Sequence, residues 1–146
     1  MSQRIERIEA DLPPGFMRLV EAARTEDVNN MPMLLEAWSA RSERFDGETS
    51  ALYGAWKGDT LVGVGGMTPE KGLDQPAIRM RRFYVLPDFR KQGVATKLAE
   101  TVMQAGLAHA SSLTVNAAAS PMAAPFWEAM DFMPAPLTRI THIYAA

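Results

Sequence analysis

The segment Arg90-Lys91-Gln92-Gly93-Val94-Ala95 constrains this chain most, because it joins an apolar strand pattern at residues 78–86 to an amphipathic helix pattern at residues 93–109. A helix start leaves backbone N–H groups unpaired and carries positive partial charge, and a glycine lets the chain bend close to a ligand. The segment is therefore typical of a site for a phosphate or pyrophosphate. The alternative is a plain strand-to-helix turn in which Gly93 relieves backbone strain and the cations are solvated.

Length and composition limit the class of protein. The 146 residues are enough for one domain with a core of its own, spanning residues 1–146. Cysteine is absent, which excludes disulfides, a thiol nucleophile and cysteine-ligated zinc and fits a reducing compartment, so we expect a cytoplasmic protein. The two histidines are far apart in sequence and form no metal motif, so we expect no metal.

Charge and hydropathy limit the class of partner. No stretch has the pattern of a signal peptide or the length of a membrane span. The formal net charge of -2 gives no general attraction to nucleic acid. We therefore expect neither a nucleic acid nor a membrane as partner. A local group of cations suits a compact anionic ligand: Arg79, Arg81, Arg82, Arg90 and Lys91.

Local periodicity predicts an alternation of strands and helices. The two-residue connection Gly58-Asp59 between apolar runs is typical of a tight antiparallel hairpin. Val94, Leu98 and Val102 recur at helical spacing after the glycine turn. Asn30 precedes a second helical pattern and would cap it. The other predicted elements, in chain order, are a strand at 15–24, a helix at 31–40, strands at 51–57, 60–67 and 112–115, a helix at 121–130, and two strands within 132–144.

The order strand, R-K-Q-G-V-A, helix, short strand, then N-A-A-A-S-P-M-A-A-P-F-W-E-A-M-D-F resembles the GNAT superfamily of acyl-CoA-dependent N-acyltransferases. The likeness covers residues 77–132. Its centre is the phosphate-binding pattern R/Q-x-x-G-x-G/A, met by Arg90, Gly93 and Ala95, which follows an F-Y-V-x-P strand end at residues 83–87.

The resemblance implies a fold and an activity. The fold is one α/β (α+β) domain with a mixed, mostly antiparallel central sheet, flanked by helices and with splayed central strands. The activity is direct transfer of an acetyl group from acetyl-CoA to an amine of a small molecule or peptide, which makes the chain an N-acetyltransferase. Many members pair as homodimers, although no pattern in this chain identifies an interface.

The resemblance also implies which residues contact the coenzyme. The backbone of Val85 and Leu86 would pair with the pantetheine arm, and the Val85 amide would stabilise negative charge on the thioester oxygen. Asn116 and Ser120 would hydrogen-bond the arm, or else cap the turn and helix that follow them. The pyrophosphate would be held by backbone amides and charge from the phosphate loop: Arg90, Lys91, Gln92, Gly93, Val94, Ala95 and Thr96.

Two positions depart from the family pattern. Trp127 occupies the place of the tyrosine that usually protonates the departing thiolate, and an indole N–H can orient a sulfur but has no usable acidity. Arg81 stands where relatives often carry a glutamate base, and Arg79 shares its face of the strand. These two arginines would bind a carboxylate or phosphate of the acceptor, unless they lie on a solvated strand edge.

No residue clearly serves as general base for the amine. The candidates are His142, Tyr144, Asp46, Glu48 and Glu70. The missing tyrosine and glutamate keep open an alternative, a non-catalytic module that binds or senses acyl-CoA. A nucleotide-binding module is a third interpretation, but the lysine and serine or threonine that follow such a phosphate loop are absent.

Overall fold

The computed structural model describes residues 3–146, which form a seven-stranded sheet and four α-helices. The elements are β1 (Gln3–Ile8), α1 (Phe16–Thr25), α2 (Asn30–Ser39), β2 (Ala51–Lys57), β3 (Thr60–Pro69), β4 (Ile78–Val85), α3 (Val94–Leu107), β5 (Ser112–Val115), α4 (Ala123–Ala129), β6 (Met133–Leu137) and β7 (Ile140–Ala145). The strand order is β1-β2-β3-β4-β5-β7-β6, and β4 and β5 are the parallel pair in an otherwise antiparallel sheet. This is the mixed, mostly antiparallel architecture that the sequence predicts.

The predicted strand at residues 15–24 is wrong, because this segment forms α1. Its buried residues are Phe16, Leu19, Val20 and Ala23, which recur at the spacing of one helix face and not at the two-residue spacing of a strand. The first strand is instead β1, which pairs antiparallel with β2. Only one of its six residues is buried, so its apolar signal is too weak to identify it from sequence.

The helix predicted at 31–40 is confirmed as α2, but Asn30 does not cap it. The N-cap position is Asn29, whose side chain makes no capping hydrogen bond. Asn30 lies in the first turn, where its Nδ2 donates to the carbonyl oxygen of Phe83 in β4 (2.8 Å). Leu34 and Trp38 of α2 face the core.

Helices cover both faces of the sheet, and two glycines of β3 show which helix lies where. A Cβ atom at Gly63 would lie 3.2 Å from Leu98 of α3, whereas one at Gly66 would lie 3.0 Å from Phe45 on the opposite face. Phe45 belongs to the core formed with α1 and α2. One face therefore carries α1 and α2, and the other carries α3.

The two central parallel strands separate soon after they meet. Residue pairs between β4 and β5 are limited to Ile78 with Leu113 and Arg79 with Thr114. β4 then continues to Val85, about 20 Å further along an extended chain, without β5 at its side. A bulge interrupts its pairing with β3 in this stretch, and there Arg82 has a φ of 60°. The splay opens one edge of β4 to a ligand.

Candidate active site

The open edge of β4 presents a backbone donor at Val85. The Leu86 N–H donates to Val62 O in β3 (2.8 Å), and backbone groups of successive strand residues point to opposite sides. The N–H and C=O of Val85 therefore point away from β3, into the gap left by β5. The Leu86 carbonyl accepts from Phe89 N–H (2.9 Å), so both backbone groups of Leu86 are engaged within the protein.

The backbone carbonyl oxygens on either side of the Val85 N–H accept hydrogen bonds from side chains. Asn30 donates to the Phe83 carbonyl (2.8 Å), and Arg90 donates through Nε to the Val85 carbonyl (3.0 Å). The Val85 N–H thus lies between two carbonyl oxygens that are already hydrogen-bonded. An edge arranged in this way offers a positive backbone group to an incoming oxygen.

The phosphate loop has a row of backbone donors at the start of α3. Among the described residues, the N–H groups of residues 92–96 have no protein acceptor, and the first bond of the helix runs from Lys97 N–H to Gly93 O (3.0 Å). Gly93 has a φ of 84°, and a Cβ atom built on it would meet nothing within 4 Å. Unpaired amides around an open space are the features of an anion site at a helix start.

Arg90, expected near the phosphate, is engaged by α1. Its guanidinium donates two hydrogen bonds to the carboxylate of Glu26 (2.7 and 2.6 Å) and lies over the ring of Tyr84 (5.3 Å). These bonds from Arg90, followed by that from the Tyr84 hydroxyl, hold the pKa of Glu26 below its usual value, against the opposing effect of burial. Burial, followed by the hydrogen bond to Glu26, raises the pKa of Tyr84. Arg90 therefore links the phosphate loop to Glu26 at the end of α1, in addition to its hydrogen bond with the Val85 carbonyl.

Two lysines place positive charge at the phosphate loop. Lys91 is exposed and has a φ of 62°. Lys57, at the end of β2, donates a hydrogen bond to the side-chain oxygen of Gln92. Sequence reasoning missed Lys57 because it lies in a hairpin 35 positions away, and no local pattern connects it to the loop.

Trp127 lies near the open edge but is packed among aromatic rings. It is 4% exposed and makes edge-on contacts with Phe83 (4.9 Å between ring centroids), Phe126 (5.0 Å) and Phe132 (5.0 Å). Phe83 is two residues before Val85 on β4, so the indole reaches the neighbourhood of the proposed oxyanion donor. Its N–H has no hydrogen-bond acceptor in residues 3–146.

The two predicted polar contacts on the far side of the gap have different environments. The Asn116 side-chain oxygen accepts from Ala118 N–H (3.0 Å) and so caps the short turn after β5. Its amide nitrogen is not used in that bond. Ser120 precedes α4, and its carbonyl accepts from Ala123 N–H (3.2 Å).

On the face of the sheet that α1 and α2 cover, the arginines of β4 differ in their ion pairing. Arg79 lies 3.6 Å from the buried carboxylate of Glu70, which also accepts from the Thr114 hydroxyl (2.6 Å). This cluster sits where β4 and β5 separate. Arg81 lies opposite Gly66 on the same face, and Arg82 follows it in the bulge. Burial, followed by the charge of neighbouring arginines, lowers the pKa of Arg81 and Arg82.

The base candidates are either engaged or exposed. His142 contacts Glu128 through Nε2 (2.8 Å) and Thr141 through Nδ1 (2.8 Å), so both ring nitrogens have partners. Tyr144 packs on Phe132. The carboxylate of Glu70 is held by Arg79, by the Thr114 hydroxyl and by the Gly72 N–H. Asp46 and Glu48 are exposed loop residues.

The described part of the chain has neither a side-chain cluster for a metal ion nor a membrane-spanning helix. Residues 3–146 contain no cluster of three or more histidine or acidic side chains that could hold a metal ion. Within the same residues, no helix is long and apolar enough to cross a membrane.

A model of the acetyltransferase (GNAT) domain matches residues 20–139. The chain belongs to the GNAT acetyltransferase family. Among curated proteins, none matches the sequence significantly. The fold of this GNAT chain is similar to that of a protein from Exiguobacterium sp. 255-15 assigned as an acetyltransferase, with a TM-score of 0.88, 24% identity, and coverage of 99% of this chain and 94% of the other.

Two structural neighbours of this GNAT chain were crystallised with acetyl-CoA or coenzyme A. One is an acetyltransferase from Brucella melitensis in complex with acetyl-CoA (TM-score 0.65, 15% identity, 99% and 88% of the two chains covered). The other is the Bacillus subtilis N-acetyltransferase YlbP in complex with coenzyme A (TM-score 0.61, 18% identity, 99% and 97% covered). At these identities the likeness establishes the shared fold.

Proposed function

We propose that this GNAT protein transfers an acetyl group from acetyl-CoA to an amine, which is an N-acetyltransferase activity. The observation that carries the proposal is the row of unpaired N–H groups at residues 92–96, around a glycine whose Cβ direction is open. Such a row fits a diphosphate, and the free edge of β4 begins a few residues earlier. Both neighbours with bound coenzyme have this fold, which supports the same co-substrate here.

Some residues of the chain would bind the coenzyme, and one backbone N–H would stabilise the charge that forms during the reaction. Residues 92–96 would bind the pyrophosphate with their backbone, and Lys91 and Lys57 would add positive charge. The Val85 N–H would donate to the oxygen that gains negative charge when the amine attacks. Asn116 and Ser120 would contact the arm of the coenzyme from the other side of the splay.

The coenzyme would supply an activated acetyl group as a thioester. The overall reaction forms a bond between the acceptor nitrogen and the acetyl carbon, breaks the bond between that carbon and sulfur, and moves the proton from nitrogen to the released thiol. Alignment of the two reactants accounts for much of the acceleration in a transfer of this kind. Trp127 would border the sulfur and orient it without donating a proton.

Two matched glycine variants test the coenzyme site. Gly93 and Gly15 are both N-cap residues with left-handed φ angles, 84° and 91°, but Gly15 starts α1 and lies outside the phosphate loop. An alanine at either position is disfavoured by the same backbone strain, about 1 kcal/mol. We expect Gly93→Ala to weaken coenzyme A binding at least about tenfold in titration calorimetry, and Gly15→Ala to leave it unchanged, because only the first adds a methyl group to the phosphate loop. Equal coenzyme affinities in the two variants, or no binding by the wild type, would contradict the proposal.

A second candidate function is a module that binds acyl-CoA without catalysis. It is favoured by two observations: Trp127 replaces the usual acid, and both ring nitrogens of His142 are engaged. Release of free thiol in the presence of acetyl-CoA and a broad set of amines separates the two functions. Coenzyme binding without amine-dependent thiol release would favour the binding module.

A further inference from the structure

Two arginines of β4 carry charge that the described part of the protein does not neutralise. Arg81 and Arg82 are partly buried, and within residues 3–146 neither guanidinium has an acidic group within 4.0 Å. Arg79 differs from them, because it pairs with Glu70. A partly dehydrated charge without a partner is unfavourable, and a bound anion relieves this.

The charges around the two arginines leave the site positive. Glu43 and Glu70 act on Arg81 and stabilise its charged form, but burial and the charge of Arg79 outweigh them and lower its pKa. For Arg82, burial and both neighbouring arginines lower the pKa, and the charge of Glu43 opposes them without reversing the direction. The two carboxylates therefore fall short of balancing the three arginines.

The position of the pair connects it to the proposed reaction site. Arg81 faces the side of the sheet that α1 and α2 cover, opposite to the side of α3 and its phosphate loop. Arg82 has a φ of 60°, a conformation that residues other than glycine seldom adopt, and it sits in the bulge where β4 has already separated from β5. Bulges next to reaction sites often redirect a side chain. An acceptor on the face opposite to α3 can therefore meet Arg81, and Arg82 is the next residue along the strand.

We propose that Arg81 and Arg82 bind an anionic group of the acceptor, a carboxylate or a phosphate, and thereby place its amine at the open edge of β4. The inference rests on the proposed N-acetyltransferase function and specifies the acceptor's chemistry. Val85 lies three residues after Arg82, about 10 Å along an extended strand. The anion and the amine of the acceptor are therefore several bonds apart. Planar guanidinium groups suit either anion because they donate two parallel hydrogen bonds.

Three amines of equal chain length test the inference: aminohexanoate, aminohexyl phosphate and hexylamine. We expect the wild type to have a kcat/KM at least about tenfold higher for one or both anionic amines than for hexylamine. The anion with the greater advantage identifies which group the site prefers. Calorimetry of the same amines with coenzyme-loaded protein measures the preference without turnover, which also serves if the protein binds the coenzyme but does not catalyse.

Variants assign the preference to the arginines. Arg81→Gln and Arg82→Asn, in which asparagine tolerates the left-handed backbone, are expected to raise KM for the anionic amines about tenfold or more relative to the change in KM for hexylamine. Arg81→Glu is expected to reverse the order, in favour of hexylamine. Arg18→Gln is the control, since Arg18 is exposed on α1 and its side chain has no ion pair in the described residues.

The outcomes distinguish a failure of the anionic-acceptor inference from a failure of the proposed N-acetyltransferase function. Equal kcat/KM values for all three amines in the wild type would overturn the anionic-acceptor inference and leave the N-acetyltransferase function standing. An anionic preference that survives both substitutions would also overturn it, as would an equal loss of hexylamine turnover. Failure of the wild type to bind coenzyme A would instead refute the proposed function.

Discussion

The ion pair between Glu26 and Arg90 gives the most direct test of how this fold is held together, and we predict its contribution from the contacts. The change is Glu26→Gln, which keeps the size of the side chain and removes its charge. A hydrogen bond to a charged group contributes about 1.5 to 3 kcal/mol when it is well shielded, and an exposed ion pair about 0 to 1 kcal/mol. The Arg90 side chain is 42% exposed and that of Glu26 29%, so we discount the shielded value and expect a loss of about 1 kcal/mol.

The dependence of this loss on pH follows from the lowered pKa of Glu26. The pKa of Glu26 is below its ordinary value in the folded protein, so the ionised carboxylate stabilises the fold. That stabilisation is fully present above the unfolded-state pKa and disappears as the pH falls through the folded-state pKa. The difference in unfolding free energy between the wild type and Glu26→Gln should therefore be constant from neutral pH to about pH 5 and shrink at lower pH.

Urea denaturation followed by tryptophan fluorescence measures both quantities. Glu21→Gln is the matched control, since Glu21 lies in α1, which ends just before Glu26, and pairs with Arg24 at 3.2 Å, but both side chains are more than half exposed. We expect the control to lose less than about 0.5 kcal/mol. The reasoning is refuted if the two variants lose equal stability, or if the loss in Glu26→Gln persists unchanged in acid.

Two further predictions concern β3 and β4. Gly65→Ala should lower the unfolding free energy by about 1 to 3 kcal/mol in urea titration, because the new Cβ would overlap the ring of Phe83 and force it to move against Trp127. An unchanged midpoint would show that this ring is not held in place. Tyr84 has a raised pKa, so its neutral form stabilises the fold up to its unfolded-state value near 10, and that stabilisation is lost as the pH rises further. An ultraviolet titration should show tyrosine ionisation that occurs only as the protein unfolds, and Tyr84→Phe should reduce its amplitude by one tyrosine. Ionisation of every tyrosine before unfolding would contradict the assignment.

Short-range patterns predicted the parts of the fold that the chain specifies locally. The hairpin around Gly58-Asp59 and helix α3 are confirmed, because a two-residue turn and a helical repeat depend on residues that are neighbours in sequence. The segment that became α1 was misread, since a short apolar run fits a strand or a helix until the packing surface is known. The face it buries is set by β3 and β4, which lie later in the chain.

The candidate site shows the same division between local and distant causes. The unpaired donors of the phosphate loop follow from a glycine at a helix start and were foreseen from sequence, while their role with a coenzyme stays a prediction. The partners of the side chains were not foreseen, because Arg90 meets Glu26 from 64 positions away and Asn30 meets Phe83 from 53. No local pattern encodes such contacts.

The sequence by itself determined where a strand gives way to a helix through a glycine turn, since backbone geometry and unpaired N–H groups there depend on adjacent residues. Only the tertiary structure decided which cations are neutralised. The fold places Glu70 beside Arg79 and Glu26 beside Arg90, but within residues 3–146 it places no carboxylate within 4.0 Å of Arg81. Whether a charge is paired depends on groups that folding brings within a few ångströms, and that distance is a property of the whole fold.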